Sequence, residues 1–180
     1  MRSICRSFPF FLFCVGQVVC GQDQDSQTFV ITVPSEISIQ APVPNVSIVH
    51  SGADVNQSFP PQQWLVLGNV ASGVTVTFTL EGPFVTGLGD ADHLRRDAAL
   101  TIRPTTTSGP ASWTGAVSTI STDIANGKTL DTWQTISDNV GTATFELDMT
   151  FLNSLAGEGS GTFAAGVYQT TVTGEITENP

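Results

Sequence analysis

The chain has 180 residues, enough for one domain with a leader or tail, and an ordinary 40% apolar share from which to build a core. Only 12% of residues are charged and the net charge is −10, so no basic stripe exists to neutralise phosphates, which excludes nucleic-acid binding of the electrostatic kind. Abundant Ser, Thr, Asn, Gln and Gly favour strands and turns over helices, and the acidity reads first as the solubility of an exported surface.

Residues 1–21 have the layout of a secretory signal peptide. Arg2 and Arg6 precede an apolar run over residues 8–15, interrupted by Pro9, and Val19 and Gly21 stand before a cut after Gly21. The run is shorter than the roughly 20 residues of a membrane span. An uncleaved anchor and a lipoprotein cut just before Cys20 are the alternatives. Cys5, Cys14 and Cys20 all fall in this segment, so cleavage leaves a chain with no disulfide. It also leaves four basic residues against sixteen acidic ones, a net −12. No second apolar run of membrane length follows.

Residues 22–27 form a polar lead-in. Residues 28–33 predict a first strand, with Phe29, Ile31 and Val33 on one face, and Pro34 closes it. Residues 36–41 predict a second, with Ile37 and Ile39 inward. Pro42 and Pro44 interrupt, and proline removes a ladder donor, so these early strands belong at a sheet edge. Residues 46–50 predict a third short strand, and 51–61 a loop. Residues 64–67 are apolar on both sides, as for a strand covered on both faces. Residues 74–80 alternate, and with Gly68-Asn69 and Ser72-Gly73 between them the two runs predict a hairpin.

Residues 82–97 are irregular, with one or two helical turns expected over 91–99. A short strand at 100–103 is closed by Pro104. Strands are expected at 112–120 and 129–136 around an Asn126-Gly127 turn. After a turn at 138–141 comes the most regular stretch of the chain, 142–151. There Ala143, Phe145, Leu147, Met149 and Phe151 alternate with Thr142, Thr144, Glu146, Asp148 and Thr150, one oily face and one wet. Residues 153–161 are glycine-rich, and 167–177 close the domain with Tyr168, Val172 and Ile176 inward. About nine or ten evenly spaced short strands, with no internal repeat and no βαβ rhythm, predict an all-β sandwich or barrel over residues 28–180.

The segment Ala165-Gly166-Val167-Tyr168-Gln169-Thr170-Thr171-Val172-Thr173 resembles the A-G-x-Y-x-x-x-V-x-V ending of exported bacterial β-sandwich domains, spore coat protein U-like and fimbrial subunits among them. The resemblance, over about a dozen residues, implies an immunoglobulin-like antiparallel β-sandwich of about eight to ten strands and a tyrosine that ties a corner through its hydroxyl. It implies an exported setting and a donor strand near a mature terminus. Residues 28–33 serve as that donor or pair within their own domain. The fimbrial pattern usually carries a disulfide, which the cleaved chain lacks.

Chemistry-bearing residues are few. No G-x-S-x-G elbow occurs, and His50 and His93 are the two histidines, so a Ser-His-Asp set exists in residue types alone. Asp90, Asp92 and Asp97 are candidates to hold a hard cation such as calcium through carboxylates, without the glycine and twelfth-position glutamate of an EF-hand. The alternative is a solvated acidic loop. Two histidines and no mature cysteine argue against structural zinc. Trp113 and Trp133 lie in polar stretches and either stack on a sugar ring or join Trp64 in the core. Asn45-Val46-Ser47 and Asn56-Gln57-Ser58 fit the N-glycosylation acceptor pattern. The expectation is an exported, non-enzymatic structural or adhesive domain at a cell surface or in a surface assembly, partnered by other surface proteins or copies of itself, with no cofactor. A carbohydrate- or other ligand-binding module and an exported hydrolase are the alternatives.

Overall fold

The computed structural model describes residues 25–52, 55–89, 92–153 and 164–180. The expected signal peptide, the three cysteines and residues 154–161 of the glycine-rich stretch lie outside them. Contacts divide the chain between Val33 and Pro34. In the first unit, residues 28–33 form no strand, against expectation, and Phe29, Val30, Ile31 and Val33 are exposed, Ile31 at 89%. Alternation specifies faces; a strand also requires a hydrogen-bonded neighbour, and among the described residues this segment has none.

The second unit, Pro34–Pro180, is an antiparallel β-sandwich. In chain order its strands are β1 (Ile37–Gln40), β2 (Gln57–Ser58), β3 (Gln62–Gly68), β4 (Val74–Leu80), β5 (Phe84–Thr86), β6 (Arg95–Arg96), β7 (Ala98–Ser108), β8 (Ser118–Ser121), β9 (Asp131–Ile136), β10 (Gly141–Phe151), β11 (Tyr168–Gln169) and β12 (Val172–Glu178). Among the described residues helix is confined to two single 3-10 turns, Asp92–Leu94 and Ile124–Asn126. The helix expected over 91–99 is therefore one turn followed by β6 and the start of β7. Arg96 and Asp97 are buried there, and a solvent-facing helix offers them no place.

β10 is the central strand of the first layer, and its alternation gives it one buried and one open face. Ala143, Phe145, Leu147 and Phe151 are buried, and Glu146 and Asp148 on the opposite face both pair with Arg103. One edge of β10 bonds β7 along its whole length; the other bonds β3 and then β2. The first layer thus runs β1-β3-β10-β7-β8, with β2 beside the far end of β10. β7 continues past Pro104 to Ser108, beyond its expected end. The missing proline donor is absorbed by a bulge opposite Thr144/Phe145, where the Thr105 hydroxyl donates to the Thr144 carbonyl.

Two three-stranded sheets, β12-β4-β9 and β11-β5-β6, cover the first layer. They meet end to end, because the Glu81 amide donates to the Thr171 carbonyl and the Thr170 hydroxyl to the Gly82 carbonyl. Ring contacts join the layers: Phe78 meets Phe145 and Trp64 edge-on at 5.6 Å, and Phe84 meets Phe151 in a tilted contact at 5.2 Å. Each such ring buried contributes about 1.5–3 kcal/mol.

The expected hairpin of residues 64–67 with 74–80 does not form. β3 bonds β1 and β10, while β4 bonds β12 and β9, so residues 69–73 cross from one layer to the other. The two apolar faces stack face to face instead of pairing edge to edge: Gly68 lies under the Val74 side chain, 2.7 Å from where a Cβ would sit. Nor is β3 covered on both sides, since Leu65 is half exposed. The strand expected at 112–120 shrinks to β8, and the residues before it wrap over Trp133, with Gly115 against the indole. The strand expected at 46–50 forms no ladder.

Candidate docking groove

β1 bonds only the Leu65–Gly68 half of β3, so among the described residues the outer edge of Gln62, Gln63 and Trp64 carries no strand. On the facing layer β12 bonds β4, and among the described residues no strand pairs with its other side. Below the contact of β1 with β12, this flank of the sandwich is open. It holds a cavity of about 930 Å³ whose floor is Leu147, Met149 and Phe151 of β10 and whose walls include Trp64, Phe84 and Tyr168. Phe59 stacks on Phe84 at 5.7 Å, and Phe151 meets Tyr168 edge-on at 5.6 Å, so the far end is ringed by aromatics. None of the described residues lining it is Asp, Glu, Lys or Arg, in a chain that carries sixteen acidic residues. A space so lined favours neutral apolar groups.

The expected corner tie is present in geometry. The Tyr168 hydroxyl reaches the carbonyls of Ala164 at 2.9 Å and His93 at 3.1 Å, and the Ala164 amide donates to the same His93 carbonyl. Burial pushes the hydroxyl above its ordinary value, against the opposing pull of the Arg96 charge and the Ala164 bond. A raised folded value means the neutral form favours the fold. That contribution is whole below the unfolded value of about 10 and fades as pH rises through the folded one. Tyr168 is the single tyrosine. Tyrosinate absorbance of the native chain is therefore expected to have its midpoint above that of the denatured chain, and coincident midpoints would contradict the corner.

The structure does not gather the other candidates here. Trp113 and Trp133 converge on Phe145, at 5.6 and 6.0 Å, and Trp133 also stacks on Phe78, so both rings pack against the core and not outward as a sugar platform. Asp97 is 5% exposed and its Oδ1 accepts from the Thr122 hydroxyl at 2.7 Å and the Ile124 amide at 2.9 Å, a carboxylate pinning a loop. Asp92 belongs to the 3-10 turn and Asp90 lies outside the described residues. No group of three or more His, Cys, Asp or Glu placed to hold a metal occurs among the described residues. His50 packs edge-on against Phe151 at the groove, and His93 is an exposed residue of the turn. The groove residues themselves escaped sequence reading; the available signal was the double proline at Pro42 and Pro44, which ends β1 early and leaves β3 half paired.

Fold and groove together define an all-β sandwich with one open flank, and no described helix is long and apolar enough to cross a membrane. A scan against protein-family models finds none that matches the chain, and a search of curated proteins finds no match.

Proposed function

We propose that the chain is an exported, non-enzymatic structural domain that assembles with copies of itself at a surface by lending residues 28–33 of one copy to the groove of the next. The observation that carries this reading is a match of chemistry: an exposed, charge-free, alternating apolar segment in the same chain as an open, charge-free, aromatic-lined groove. An added strand gains main-chain bonds from the bare edge of β3 or β12 and specificity from alternate side chains entering the cavity. From Leu147 to Phe151 the floor is about 14 Å long, room for two or three inward side chains of a strand, and Phe29, Ile31 and Val33 are spaced to fill it. The leader pattern of residues 1–21 and the net −12 that follows its removal support an exported setting.

The test is the oligomeric state of the chain from Gln22 onward. Concentration-dependent self-association is expected, and F29S/I31S/V33S is expected to abolish it while leaving the far-ultraviolet circular dichroism unchanged. A native chain that stays monomeric at high concentration rejects the reading.

A further inference from the structure

We propose that residues 42–50 are a built-in plug that holds the groove closed in the free chain and is displaced when a strand enters. This rests on the docking reading above and adds its regulation. The segment leaves β1 and runs along the open flank, where it forms one wall of the cavity. Val46 and Ile48 are half-buried while Asn45, Ser47 and Val49 are exposed, so the segment presents a strand's alternation to the groove. Yet among the described residues no main-chain hydrogen bond joins 41–49 to either neighbouring edge. Pro42 and Pro44 have no amide to give.

Its fit is loose as well. Protein interiors are close-packed with few voids larger than a water molecule, whereas about 930 Å³ remains between this wall and the floor. Unfilled space forfeits dispersion contacts on both sides. The plug covers the floor with Val46, Ile48 and the edge of the His50 ring against Phe151, and among the described residues 41–49 add no ladder to that cover. An entering 28–33 segment brings phenylalanine, isoleucine and valine, and every residue of it has an amide to donate. The plug is thus good enough to keep a single chain from sticking and poor enough to be replaced.

The experiment uses the full chain carrying F29S/I31S/V33S, so that its own segment does not compete, and a free peptide of residues 27–34. In the absence of peptide, hydrogen exchange is expected to be fast at 41–49 and slow in β10. Peptide is expected to bind, and V46S/I48S, which loosens the plug, is expected to tighten binding about tenfold. Binding with the same affinity in both proteins overturns the plug and leaves the docking reading intact. No binding to either overturns both, and binding only to V46S/I48S establishes the plug. Should that variant fail to fold, exchange decides: slow exchange at 41–49 in the free chain overturns the proposal.

Discussion

Replacing Phe145 with alanine is expected to cost about 3–5 kcal/mol, the range for emptying a fully buried aromatic site. The ring is 0% exposed and touches Phe78 of the facing layer together with Trp113 and Trp133, so three neighbours lose a partner at once. Phe78 and Trp133 are paired within one sheet, and Trp113 is held by a single bridge to Ser137, which limits how far they collapse into the space. Domains of this size have about 5–15 kcal/mol in total. The melting temperature is expected to fall on the order of 10–20 °C. Chemical denaturation of F145A checks it; a cost under about 1 kcal/mol would mean that Phe145 does not bridge the layers.

Gly73→Ala is expected to be worse still, and Gly127→Ala is its control. Both glycines have positive φ, +78° and +73°, and an alanine forced there costs about 1–2 kcal/mol. At Gly127, which caps the turn Ile124–Asn126, a Cβ meets nothing within 4 Å. At Gly73 it meets the Ser137 carbonyl oxygen at 2.1 Å and the Asn139 amide nitrogen at 2.9 Å, both main chain. Relief requires moving the strand end where the Ser137 amide donates to the Val74 carbonyl and the Ser137 hydroxyl accepts from the Val74 amide. G127A is expected to lose about 1 kcal/mol and G73A more than about 4 kcal/mol, or to yield no soluble protein. Equal denaturation midpoints for the two would mean that residues 69–73 do not pack against 137–139.

What was legible in the chain follows from what alternation encodes. It reports which side chains share a face, and on β10 it picked out Ala143, Phe145, Leu147 and Phe151 as the buried side. It is silent about the neighbour. Residues 28–33 and 46–50 alternate as well as several true strands do, yet neither acquires a ladder. The same silence misplaced residues 74–80: Gly68-Asn69 and Ser72-Gly73 read equally as a hairpin turn and as a corner between layers, and the stacking of Val74 over Gly68 decided for the corner. Trp113 and Trp133 were ambiguous for another reason. Their burial depends on an irregular cover containing Gly115, which has no periodicity to read. The groove was invisible because it is defined by a strand only four residues long.

The position of β10 in the chain also sets when the domain becomes a domain. Its partners β2, β3 and β7 all precede it, and β12, which completes the facing layer, comes last. A nascent chain that stops short of Gly141 holds two sheet halves with nothing between them. Loop closure must be completed before those distant pairings reward it, which puts folding in the slow regime of non-local β topologies, roughly milliseconds to seconds. Until synthesis passes Phe151 the polypeptide lacks the strand on which both halves of the first layer pair.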